Sequence, residues 1–261
     1  MSAGAGTATR RRVPPAVPVA IAAAWLLAVA AEATGRAAGL HHQALVHARL
    51  SPWLALALFL AAWQVMIAAM MLPSTLPMVR LFGQASAGQR RAGAAMGGFL
   101  AGYAGVWTAF GAAAFLGDLG LHHAVHRSPW LAARPWLLAG STLAVAGLFQ
   151  FSAVKDACLA RCRTPGAYLL RHYRRGVAEA FRLGWGHGLF CLGCCWALML
   201  LMFAAGVANL WWMAALTALM VYEKVGSNGR RAVPVAGFVL LALAAAVLLQ
   251  PPWLDGVLGA G

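Results

Sequence analysis

Apolar residues along this chain come in runs of about 20, separated by short polar connections. That is the length a helix needs to cross a ~30 Å hydrocarbon layer. The pattern predicts an all-α, polytopic transmembrane helical bundle of about seven spans (six to seven). The runs are Val13 to about Ala33, Pro52 to Leu72, Gly93 to Leu116, Pro135 to Val154, Gly184 to Ala204, a short one ending at Tyr222-Glu223-Lys224, and Val233 to Leu249. One transmembrane domain, 13–250, lies between a basic tail, 1–12, and a short C-terminal tail, 251–261.

Local features refine this outline. Arg10-Arg11-Arg12 before an apolar run also fits a cleaved signal peptide, although the further spans favour a retained first helix. Pro73 stands where a helix is expected to stop or kink. Gly93-x3-Gly97 and Gly98-x3-Gly102 mark the third run as a packing helix, because small residues four apart let backbones approach closely in lipid. A tight turn is expected at Gly206–Asn209, and the short sixth run fits a tilted or partly re-entrant segment.

Composition agrees: 62% of the 261 residues are hydrophobic and 10% charged, with a mean hydropathy of +0.74. The formal charge of +14 is spread over short connections and forms no single basic patch, so no nucleic-acid partner is expected and the lipid bilayer is. Alternating the spans puts Arg10, Arg11, Arg12, Arg80, Arg90, Arg91, the seven basic residues of 155–182, Lys224, Arg230 and Arg231 on one side. Only Arg36, Arg49, Arg127 and Arg134 fall on the other. The positive-inside rule then predicts a cytoplasmic N-terminus and an external C-terminus. His41, His42, His47, His122, His123 and His126 fall outside.

Candidate chemistry concentrates in Gly186-His187-Gly188-Leu189-Phe190-Cys191-Leu192-Gly193-Cys194-Cys195-Trp196, within the fifth run. At 3.6 residues per turn His187, Cys191, Cys194 or Cys195, Leu198 and Met202 form one stripe. A single Cys or Met in such a helix is ordinary packing, but an imidazole and three thiols within nine residues mark a site. Met66, Met70 and Met71 of the second run are expected at the same depth, in the inner half of the membrane. Thiolates and thioethers select Cu(I), while a thiolate–imidazole set also suits Zn. Cys158 and Cys162, in the basic cytoplasmic segment 155–182, form a Cys-x3-Cys clamp that fits delivery to, or loading from, a cytoplasmic or membrane metalloprotein partner. The external histidines fit solvated loops slightly better than metal collection. Glu223-Lys224 reads as a capping or anchoring pair at the membrane edge.

Ala69-Met70-Met71-Leu72-Pro73-Ser74, Lys155-x2-Cys158-x3-Cys162-Arg163-x-Pro165 and Gly186-His187-Gly188-Leu189-x-Cys191-Leu192-Gly193-Cys194-Cys195-Trp196-Ala197-Leu198-Met199-Leu200 closely resemble the DUF2182 family. These are bacterial integral membrane proteins described as metal-binding and sometimes labelled copper chaperones. The resemblance runs from about Trp63 to Lys224 and implies metal handling in a bacterial plasma membrane. Where the family often has Thr-Pro-Leu-Lys leading into the Cys pair, this chain reads Ser152-Ala153-Val154-Lys155, which leaves the pair itself intact.

The expected function is therefore Cu(I) binding, delivery or transport through His187, Cys191, Cys194, Cys195, Met66, Met70 and Met71, with Cys158 and Cys162. No catalytic residue is assigned, and no phosphate-binding loop is present in the sequence. The alternatives are a membrane thiol–disulfide oxidoreductase using Cys191-x-x-Cys194 and a structural membrane subunit without metal.

Overall fold

A computed structural model describes residues 13–35, 51–205 and 209–249. The Arg10–Arg12 run, the loop histidines His41, His42 and His47, Arg36, Arg49 and most of the expected 206–209 turn lie outside them. Among the described residues the structure is helical, without strands. In chain order the helices are α1 (Ala16–Ala33), α2 (Pro52–Ser86), α3 (Ala92–Arg127), α4 (Pro129–Ala132), α5 (Pro135–Phe149), α6 (Ala153–Arg163), α7 (Pro165–His172), α8 (Val177–Ala205), α9 (Leu210–Val225) and α10 (Gly229–Leu249).

Five of these, α1, α2, α3, α8 and α10, are long and apolar enough to cross a membrane. A sixth joins them if α5 and α6, bent by 63° at Gln150–Ser152, count as one broken span. The expected short sixth run is α9, whose 16 residues reach only about 24 Å. Leu26, Leu27, Leu58, Val235, Phe238 and Leu249 all face outward, as side chains on a lipid-facing surface do.

α2 departs from the expected stop at Pro73, running unbroken through Pro73 and Pro77 to Ser86. Proline has no N–H to give the carbonyl four residues back. For Pro73 that carbonyl is Ala69, and the Trp25 indole of α1 donates to it at 3.0 Å. The freed group is satisfied from outside the helix, so the helix continues.

Close backbone approach sets the pairing of α3 with α8. A Cβ on Gly98 or Gly102 would strike the backbone of Val177 or Phe181, and one on Gly184 would strike the Phe99 carbonyl. Of the two expected small-residue pairs, Gly98/Gly102 meets the neighbouring helix; Gly93 and Gly97 face open space. Across the α2–α3 seam the Trp63 indole donates to the Trp107 carbonyl at 2.9 Å, and Gln64 Nε2 to Thr108 Oγ1 at 2.7 Å.

The turn into α6 brings a basic, cysteine-bearing helix against α8. Ser152 caps α6 by accepting from the Lys155 N–H at 3.1 Å, with Asp156 in its first turn and Arg161 and Arg163 in its last. That charge order suits the helix dipole. Lys155 is fully buried.

Candidate metal site

α8 aims its expected stripe inward: His187, Cys191, Cys194, Cys195, Leu198 and Met202 are all buried. Cys194 and Cys195 both turn their thiols back to the Cys191 carbonyl, at 3.1 and 2.8 Å. Their sulfurs then diverge. Cys194 Sγ lies 4.0 Å from Cys162 Sγ on α6, while Cys195 Sγ lies 3.8 Å from Met71 Sδ on α2. Gly193 leaves room for Cys158, whose sulfur occupies the space a Cβ there would take. The five cysteines, all free thiols, thus come from α6 and α8 to one region beside α2.

The other expected residues are distributed unevenly. Met66 and Met70 are buried in the same apolar core, but among the three methionines the sulfur–sulfur contact belongs to Met71. The His187 ring lies among Phe99, Tyr103 and Tyr168, with centroids 6.0 to 6.2 Å away. Tyr168, on α7 outside the long helices, donates to the Leu183 carbonyl at 3.3 Å; partial burial raises its phenol above the ordinary value and keeps it a neutral donor. Among the described residues no three His, Cys, Asp or Glu side chains converge in a ready metal cage.

Several polar neighbours of the thiols escape a reading based on helical stripes. Lys224 Nζ, from the end of α9, lies 3.1 Å from Cys191 Sγ, 3.8 Å from Cys195 Sγ and 3.1 Å from Ser74 Oγ. Tyr103 OH lies 3.1 Å from Cys191 Sγ and is also bonded to Thr75 Oγ1, at 3.1 Å. Glu223 turns the other way and forms a 2.7 Å ion pair with Lys155, both side chains excluded from solvent. Arg163 donates to the Glu223 and Gly226 carbonyls, tying α6 to the end of α9. Glu223 and Lys224 are therefore two buried charges with separate partners, in place of the expected pair at a membrane edge. The available signal was the position of two charges at the end of an otherwise apolar run.

These features define the class: a bundle of long apolar helices around a sulfur-rich interior that contains a buried cation. The family model described as "Copper chaperone", PpoB2, matches residues 60–247, and the chain belongs to that family. This agrees with the DUF2182-type resemblance. No curated protein and no solved structure matches the chain.

Proposed function

We propose that this chain is an integral protein of the bacterial plasma membrane, N-terminus in the cytoplasm, that binds Cu(I) and passes it on. The ion is cargo. Its ligands are drawn from Cys162, Cys194, Cys191, Cys195 and Met71, with Cys158 at the entrance and Met66, Met70 and His187 around the path. Apolar helices and the skewed distribution of basic residues support the membrane reading and its orientation. The observation that carries the site is the meeting of thiols from α6 and α8 with a thioether from α2.

Donor chemistry favours Cu(I) over Zn. A thioether among thiolates suits Cu(I), whereas zinc is held by thiolate, imidazole or carboxylate ligands. His187 keeps to the aromatic side, among Phe99, Tyr103 and Tyr168. Thiolate is the metal-binding form of cysteine, and the Lys224 ammonium beside Cys191 and Cys195 supplies a counter-charge for it. A Cu(I) ion entering the cluster would compete with that ammonium for sulfur. The Lys155–Glu223 pair holds α6 to α9 and so keeps Cys158 and Cys162 against α8.

Copper content after anaerobic purification tests this. The parent protein should retain Cu(I) against dialysis, whereas Cys191→Ser/Cys194→Ser and Cys158→Ser/Cys162→Ser variants should lose it while remaining folded. Equal copper in parent and both variants would remove the thiols from the site. Within α8 the Cys194 thiol faces Cys162 and the Cys191 carbonyl.

A further inference from the structure

We infer that the far end of α3 carries a second metal site, a two-imidazole clamp of His122 and His126 that takes a divalent ion of the Cu(II) class. α3 runs unbroken to Arg127, so both residues sit on regular helix, four positions apart and on one face. Nε2 of His126 lies 2.8 Å from Nε2 of His122. The rings stand edge to face with centroids 4.3 Å apart. Two imidazole nitrogens therefore meet at one place on a regular helix. Asp118, four residues before His122, lies on the same face.

In the metal-free pair one ring donates its Nε2–H to the other. To hold a metal through both Nε2 atoms, each ring must be neutral with its N–H on Nδ1, so the metal takes the place of the proton between the rings. Two histidines four apart on one helical face form half of a familiar metal-binding arrangement. Imidazole suits borderline ions, and among divalent first-row metals Cu(II) binds nitrogen donors most tightly. The thiols prefer Cu(I), so the two sites differ in the oxidation state they hold.

Their separation also has meaning. Tyr103 of α3 touches Cys191, and His122 lies nineteen residues further along the same helix, about 29 Å away. That is close to the ~30 Å thickness of a hydrocarbon layer. The imidazole pair therefore sits about one membrane thickness from the thiol cluster. It stands on its own geometry and does not depend on the thiols binding copper.

The test is electron paramagnetic resonance of the purified full-length protein given one equivalent of Cu(II) after its thiols have been alkylated, so that they do not reduce the ion, in the parent and in Cys191→Ser/Cys194→Ser. A spectrum with coupling to two imidazole nitrogens is expected in both. His122→Ala and His126→Ala should each abolish the two-nitrogen pattern and weaken Cu(II) binding roughly a hundredfold, the loss expected when an intramolecular second ligand disappears. Their anaerobic Cu(I) content should match the parent's. A nitrogen-coupled signal unchanged in both histidine variants, or no such signal in the parent, would overturn the inference. Either result would leave the thiol reading intact if Cu(I) still followed the cysteines.

Discussion

Cys162 Sγ and Cys194 Sγ stand 4.0 Å apart, although 32 positions and a change of helix separate the two residues. One ion bonded to both at about 2.3 Å would tolerate sulfurs up to about 4.6 Å apart. The 4.0 Å separation lies within that range.

Cys162→Ser and Cys194→Ser should each weaken Cu(I) binding at least as much as the roughly 10–100-fold cost of losing an outer-shell partner. The double variant should be little worse than either single one, because both sulfurs would serve one ion. Competition against a chromophoric Cu(I) chelator reads this out. Additive losses would place the two thiols in separate sites.

The Lys155–Glu223 pair should matter more when half broken than when wholly replaced. Lys155→Met alone leaves a buried carboxylate uncompensated and should cost about 3–5 kcal/mol of stability. Lys155→Met/Glu223→Leu should recover most of that loss. Thermal unfolding in detergent distinguishes the cases, and a double variant no more stable than the single would contradict the pairing.

Gly184→Ala should separate α3 from α8, because its new methyl would strike the Phe99 backbone carbonyl, which no side-chain rotation can move aside. Overpacking of this kind costs about 1–3 kcal/mol and occasionally more. Gly97→Ala, where nothing lies within 4 Å, should be silent. Comparing the melting temperatures of the two variants checks the helix pairing directly.

Trp25→Phe should destabilise the protein by about 1–3 kcal/mol, the cost of leaving a buried carbonyl, here that of Ala69, unpaired. Pro73→Ala in the same background should restore stability, since its N–H can then serve Ala69. An unfolding series of the two single variants and the double measures the coupling; independent effects would mean that the indole is not Ala69's substitute partner.

Much of the fold was legible in the linear pattern. Apolar runs located the long helices because a residue's hydrophobicity is local information. The stripe of α8 followed from helical period, and both Cys194 and Cys195, which the period left as alternatives, are buried with the rest of it. The motifs around Met70, Cys158 and Cys194 also pointed to the copper-chaperone family. Periodicity said less about where helices end. Pro73 reads as a stop unless one knows that Trp25 supplies the missing hydrogen bond.

The sequence alone determined which residues offer thiol, thioether and imidazole groups and that most lie on long apolar helices. Tertiary structure decided which of them meet: Cys162 with Cys194, Met71 with Cys195, His187 with aromatic rings. It also drew Lys224 against Cys191 and Cys195, and Glu223 against Lys155. The reason is physical. Period and composition fix the face a side chain occupies on its own helix, but a buried charge takes the partner that folding brings within reach.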